Sequence, residues 1–427
     1  MNHFNFKNGH LYCENIPVKD IAEKIGTPTY IYSSATINNN LELFDEAFKD
    51  YPHLFCYSMK ANSNLSILAI TAKKGWGIDI VSGGELFRAL KAGVDPKKIV
   101  YAGVGKTSKE LKEAIDADIL LINIESEAEL EAIDKIGKQS EKEVSVALRI
   151  NPEIEPETHH NIATGKKGTK FGLSFIRAKE IFLKRANYKN IQIEGLHMHI
   201  GSQIVSLKPY EEAVRKMVEF IEELKKEDVP IQWLNIGGGM GITYKEEIPP
   251  TPSQLADAIL PLIEKTGCKL IIEPGRFIVG NAGILITKVL YTKISEDRNF
   301  IIVDAGMNSL VRVALYGAYH EILSEEQKYG TIVADVVGPI CENTDFFAKN
   351  RELPPFKQGD YLIIMSTGAF SFSMSSNYNS HTRPAEVLID NSRGYLIKRR
   401  ESYLDLIQGE SISPRLVLPS SLESVDF

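Results

Sequence analysis

Only four cysteines, Cys13, Cys56, Cys268 and Cys341, occur in 427 residues, and no two of them form a CxxC pair. That excludes a disulfide framework or a cysteine zinc site and points to a reducing compartment. The opening Met1-Asn2-His3-Phe4-Asn5 has no hydrophobic signal region, and no apolar run approaches the length of a membrane span. Positive charge is in deficit: 49 Lys and Arg face 56 Asp and Glu, a net charge of −7, which disfavours nucleic acid and anionic membranes as partners. Internal repeats and low-complexity segments are missing too. These absences leave a soluble, cytoplasmic protein with no nucleic-acid or membrane partner as the expectation.

What is present is a regular alternation of strands and helices. The short apolar runs end at Lys60, Val81, Ala102, Asn123, Ile150, Ile200, Ile236 and Glu273, with amphipathic stretches between them. Eight such strands, apolar on both faces, are the pattern of a parallel (β/α)8 TIM barrel. After Gly280 strands follow one another with little helix, from Gly283–Ile294 to Tyr395–Arg399, which reads as a C-terminal antiparallel β-sandwich or Greek-key domain. The expected division is a barrel over 33–280 and a β-domain made of 1–32 plus 281–427. The loop Glu153–Gly172 is expected to be long, and the tail after Gln408 weakly ordered.

Barrel enzymes work at the carboxyl ends of their strands. Here those ends carry Lys60, Asp79, Ser82, Glu85, Arg149, Asn151, His197, His199, Gly237-Gly238-Gly239 and Glu273-Pro274-Gly275-Arg276. A lysine at the mouth of a buried strand must be paired, neutralised or used. If it loses its proton easily it attacks aldehydes, pyridoxal 5'-phosphate foremost; a bare strand cap reaching solvent is the alternative. The loops after the seventh and eighth strands are the usual phosphate site of such barrels, and consecutive glycines plus an arginine suit an anion. Glu273 beside a phosphate needs a cationic partner: a protonated pyridine nitrogen, or a barrel arginine. His197 and His199 share one strand face. They are core residues, or one lies flat on a cofactor ring; no third ligand makes them a metal site.

The segments YSMKAN, DIVSGGE, LRINP, TKFG, GLHMHIGSQ, NIGGG, EPGR, DAGMN, LYGAYH, GPICE and SSNYNS, in this order between Thr29 and Glu386, resemble diaminopimelate decarboxylase, a pyridoxal-phosphate enzyme of the alanine-racemase-like group that includes ornithine decarboxylase. The resemblance implies that Lys60 holds the aldehyde as a Schiff base, His199 stacks on the ring and Glu273 pairs with its nitrogen. Ser202, Gly238, Gly239, Gly275 and Arg276 would cradle the phosphate, with Asp79, Pro274 and Tyr378 as further cofactor contacts. Cys341 would be the general acid that returns a proton. Arg276, Arg312, Tyr316 and Glu342 would grip the amino-acid substrate. The family offers its Cys-Glu segment across a homodimer interface, so each active site would need two chains. The implied reaction turns meso-2,6-diaminoheptanedioate into L-lysine and CO2, the last step of lysine biosynthesis.

This chain departs from the family pattern in places: Arg312-Val313 replaces Arg-Pro, Asn379–Pro384 replaces a more arginine-rich run, and Phe370 stands where the family has tyrosine. The missing hydroxyl leaves two expectations. Either main-chain donors and Ser202 already satisfy the phosphate while Phe370 packs a partner's edge, or Tyr378 supplies the donor. Rival readings are an ornithine or arginine decarboxylase, a non-catalytic cofactor carrier, or a lysine-dependent aldolase barrel. Arg312 argues against the first, since a distal ammonium needs no cation. Lys60 with Cys341 argues against the second, and Cys341 with Glu342 against the third.

Overall fold

The computed structural model describes residues 3–154, 165, 168–295 and 298–411; the tail beyond and most of the loop after Glu153 lie outside the described residues. The eight expected barrel strands are His53–Ser58, Gly77–Ile80, Ile99–Tyr101, Leu121–Ile124, Val144–Arg149, Ile191–His197, Trp233–Asn235 and Lys269–Ile272. They pair in parallel and close where Leu270 meets His53. Burial on both faces explains their composition: every residue of Gly77–Ile80 and of Leu121–Ile124 is buried.

Local chemistry starts most of the barrel helices. The side chains of Asn64, Ser82, Thr107, Ser126, Ser174 and Thr251 each accept from a main-chain N–H of the first helical turn. These caps fix where each of those helices begins, and the parallel strands end on one rim. The helix that precedes the barrel begins at Ser34, because the Ser33 side chain accepts from Thr36 N. Among the described residues no helix is long and apolar enough to cross a membrane.

The β-domain strands expected after Gly280 join a nine-stranded sheet whose centre is the 13-residue strand Gly283–Ser295. Its first half pairs with Thr29–Ser33 and Tyr361–Ile364, its second with Arg298–Val303. The sheet is mixed rather than purely antiparallel. Arg298–Val303 runs parallel to Ile332–Val337, and Ala385–Asp390 parallel to Thr29–Ser33, since the N-terminal strand enters between two C-terminal ones. Strand Phe346–Leu353 is not legible in the sequence, because its edge position tolerates Lys349, Asn350, Arg351 and Glu352 in succession. Nor is the short helix Arg312–Tyr316, which sets Arg312 and Tyr316 one turn apart on one face.

The loop that follows the first barrel strand is bonded to this sheet. Phe370 N donates to Ala61 O at 2.8 Å, Asn62 Nδ2 to Gly368 O at 3.2 Å, and Asn64 Nδ2 to Glu386 Oε2 at 3.0 Å. Glu386 also accepts from the buried Tyr32 hydroxyl at 2.8 Å. Tyr32→Phe leaves that carboxylate short of a donor and is expected to cost about 1–3 kcal/mol, read as a lower urea midpoint at unchanged slope. An unaltered midpoint would contradict this role.

Candidate active site

Lys60 lies two residues beyond the first barrel strand, with about a third of its side chain (35%) exposed. Its Nζ donates to Asp79 Oδ2 at 3.0 Å, and the same oxygen accepts from Ser58 Oγ at 2.6 Å. Asp79 is fully buried and its Oδ1 has no partner among the described residues. Burial alone would pull the Lys60 ammonium down, but Asp79 and Glu273 outweigh it and hold the group above its usual value. Of the fates open to a lysine at a strand mouth, pairing is the one found here: two carboxylates retain its proton. One turn into the next helix, burial pushes the Glu85 carboxyl up to about 7 although its Oε2 accepts from Val81 N.

Glu273 stands on the same rim, just past the last strand, which pairs with the first. Its Oε1 accepts from Asn235 Nδ2 at 2.7 Å, and its Oε2 lies 3.6 Å from His197 Nε2. Burial opposes its charge, yet His197, Lys60 and Asn235 prevail and bring its pKa to about 2. The alternative partner, a barrel arginine, is engaged elsewhere: Arg149 donates to Glu125 at 2.5 Å. Asn235 in turn is oriented by Gly237 N, which donates to its Oδ1 at 2.9 Å. Asn235 carries no sequence signal of its own, although it opens the NIGGG segment.

The two loops expected to hold phosphate adjoin. A Cβ on Gly238 would fall 2.0 Å from Glu273 O, and Gly239 has φ +110°, so neither position accepts a larger residue. Pro274 contributes a main-chain tie, its carbonyl accepting from Ser58 N at 3.0 Å. The half-buried His199 accepts at Nδ1 from Gly238 N at 3.2 Å. Burial, with Lys60 and Arg149, depresses its pKa well below the usual value, so its ring is neutral. Arg276, buried, donates to Ser202 Oγ at 3.0 Å and to the Tyr244 hydroxyl at 2.7 Å. Beside it Arg312 packs 4.7 Å from the Tyr244 ring and donates to His320 Nε2 at 2.9 Å. Tyr244 has no sequence signal, whereas His320 closes the LYGAYH segment.

Phe370 packs within its own chain. Its ring lies 4.9 Å from the Arg276 guanidinium, and its N–H holds Ala61 beside Lys60. The Tyr378 hydroxyl donates to Glu342 Oε1, and Asn379 Oδ1 accepts from Cys341 N at 3.2 Å. This group is exposed in the single chain, and no hydrogen bond or ion pair among the described residues links Cys341, Glu342 or Tyr378 to Lys60, Glu273 or Arg276. Cys13, Cys56 and Cys268 are buried, and burial raises all three thiols.

Residues 34–280 match the pyridoxal binding domain of the pyridoxal-dependent decarboxylases. The chain is 46% identical over 403 residues to the diaminopimelate decarboxylase of Aquifex aeolicus, spanning 94% of this chain and 96% of that one. Against that of Vibrio cholerae it is 43% identical over 417 residues, 97% and 100% of the two chains. The crystal structure of diaminopimelate decarboxylase from M. jannaschii in complex with L-lysine superposes with a TM-score of 0.92 at 38% identity, covering 98% and 100%. The chain belongs to the diaminopimelate decarboxylase family. Its fold is the barrel and β-domain of those structures, and its cofactor is pyridoxal phosphate.

The residues present fit that group. A family member needs an amine for the aldehyde, a permanent carboxylate for the ring nitrogen and a cationic, glycine-lined cradle for the phosphate. Lys60, the acidified Glu273, and Arg276 behind Gly238 and Gly239 meet these needs, and Arg276 has no carboxylate partner among the described residues. The Lys60–Asp79 pair yields a direct prediction. Asp79→Asn removes the main charge that raises Lys60, so the Lys60 pKa falls, followed by NMR of reductively 13C-methylated apoenzyme. An unmoved titration would contradict the pairing.

Proposed function

We propose that this chain decarboxylates meso-2,6-diaminoheptanedioate to L-lysine and CO2, as the last step of lysine biosynthesis, with Lys60 holding the cofactor. Bound there, pyridoxal phosphate supplies a ring that accepts the electron pair left when the Cα–CO2 bond breaks. Glu273, held ionised, would keep the ring nitrogen protonated, and the neutral His199 would lie against the ring without adding charge. Gly238, Gly239, Gly275, Ser202 and Arg276 receive the phosphate, and Asp79 orients Lys60 and takes part of its charge. Pro274 fixes the loop, and Tyr378 closes the site together with the Cys341 segment.

One observation carries the substrate reading. Arg276 and Arg312 are buried on either side of Tyr244 with only uncharged acceptors among the described residues. Two buried cations without carboxylates call for anions from outside. The cofactor phosphate and a carboxylate at the substrate's distal end supply them, and an ornithine or arginine side chain ending in a cation does not. Arg312 and Tyr316 meet the distal carboxylate, and Glu342 the distal ammonium.

Cys341 donates its Sγ proton to the carbon that lost CO2, and the thiolate regains one from water. In one chain Cys341 and Glu342 are exposed and share no hydrogen bond with Lys60 among the described residues, which supports a homodimer in which each chain completes the other's site. Unpaired buried cysteines support a reducing, cytoplasmic setting.

Two outcomes test this. Cys341→Ala is expected to slow lysine formation about 10²–10⁴-fold with cofactor absorbance retained; wild-type turnover would remove Cys341 from the reaction. Because a meso substrate yields the L product, the retained centre is the distal one. Arg312→Ala should therefore weaken L-lysine, which keeps the distal carboxylate, by roughly 10- to 100-fold. D-lysine, whose distal end is a bare ammonium, should change little as a competitive inhibitor. Equal losses for both would sink the assignment of Arg312.

A further inference from the structure

Away from Arg276 and Arg312, two cations with buried side chains meet carboxylates. Lys106 donates to Glu129 at 2.6 Å and Arg149 to Glu125 at 2.5 Å. Arg312, equally buried, is held by an imidazole instead. His320 has no exposed surface (0%). Its Nδ1 lies 2.8 Å from Met365 O, which can only accept, so Nδ1 carries the proton. Its Nε2 faces Arg312 Nη1, which can only donate, so Nε2 presents a lone pair. Both ring nitrogens are thus assigned by their partners, and the imidazole is neutral. Burial and the Arg312 charge together pull its pKa to about 3, so it stays neutral at any physiological pH. Arg351 donates to the His320 carbonyl, and the Tyr244 ring meets the imidazole edge-on at 5.3 Å. Backbone, ring plane and tautomer of His320 are all constrained before any substrate arrives.

We infer that His320 is a positioning residue for substrate selection: it tethers Arg312 through an uncharged acceptor and so leaves the whole guanidinium charge for the distal carboxylate. This rests on the reading of Arg312 given above and extends it. A carboxylate at the same place would hold the guanidinium as firmly but would cancel its charge, and the substrate's carboxylate would then meet a neutral pair. An apolar residue would preserve the charge but free the side chain, so ordering it would fall on the binding step. A neutral histidine avoids both losses. Two features of the acceptor can therefore be separated, its presence and its lack of charge.

The test uses holoenzyme and three substitutions. Asparagine mimics the Nδ1 side of histidine and glutamine the Nε2 side. His320→Asn keeps a donor toward Met365 and loses the acceptor for Arg312; His320→Gln keeps that acceptor; His320→Glu keeps it and adds a charge. Inhibition constants for L-lysine and D-lysine are measured beside kcat and KM for diaminopimelate, with cofactor absorbance and thermal unfolding as controls of integrity. His320→Asn is expected to weaken L-lysine about tenfold, as for one lost hydrogen bond to a charged group, and to raise KM with a smaller effect on kcat. D-lysine should move less than about twofold, and His320→Gln should recover most of the L-lysine affinity. His320→Glu should bind L-lysine more weakly than His320→Gln although its guanidinium is tethered. The inference is overturned if the Asn variant loses both lysines equally, if Gln gives no rescue, or if Glu binds L-lysine as well as the wild type. Arg312→Ala run in parallel separates the two levels. If it fails to discriminate the two lysines, the role of Arg312 itself is wrong; if it discriminates and the His320 variants do not, only the positioning role fails.

Discussion

Two carboxylates, Asp79 and Glu273, buried at the mouth of one barrel, are the constraint on which the rest of the site depends. Neither can remain ionised there without a cation or donors. Lys60 answers the first at 3.0 Å, and Asn235 with His197 answers the second. Every one of these partners comes from a different strand end. The polar cluster therefore exists only when the barrel is closed in this register, and the closing strands bring the two loops for phosphate beside it. Main-chain bonds make the coupling rigid: Glu273 N donates to Gly237 O at 2.8 Å, and Ser58 N to Pro274 O. The β-domain adds the last restraint through Ala61, Asn62 and Asn64, directly after Lys60.

A few residues away the electrostatic logic is reversed. Arg276 and Arg312 are buried with hydroxyls, an aromatic face and an imidazole for company. The site is thus polarised, with carboxylates around Lys60 and, a few residues away, cations that have no carboxylate partner among the described residues. On the proposed reading, such a field favours a distal carboxylate over a bare distal ammonium, which would bring a third cation to two unneutralised ones.

The amino-acid sequence carries much of this in readable form. Short apolar runs bounded by Ser, Thr and Asn caps define the barrel, and strand-end position singles out Lys60, Glu273 and the glycine loops. Residues whose role is to hold another residue are harder to see. Asn235 and His320 sit inside the NIGGG and LYGAYH segments, but a side chain that faces another side chain leaves no periodic trace, and Tyr244 sits in a loop with no pattern at all. The edge strand Phe346–Leu353 is hidden by its charges, and the mixed sheet by an N-terminal strand that pairs far away in sequence. The protonation of Lys60 stays open in the sequence for a related reason: Asp79 and Glu273 can be read at strand ends, but not their convergence on its ammonium.

The central claim is that Lys60 of one chain works with Cys341 of another, and complementation tests it most directly. Lys60→Ala and Cys341→Ala chains, co-expressed with separate tags, are each nearly inactive alone. Random pairing gives mixed dimers with one site carrying both Lys60 and Cys341, so the mixture should recover about one quarter of wild-type turnover. Turnover no higher than the sum of the two separate variants would contradict a site shared between chains.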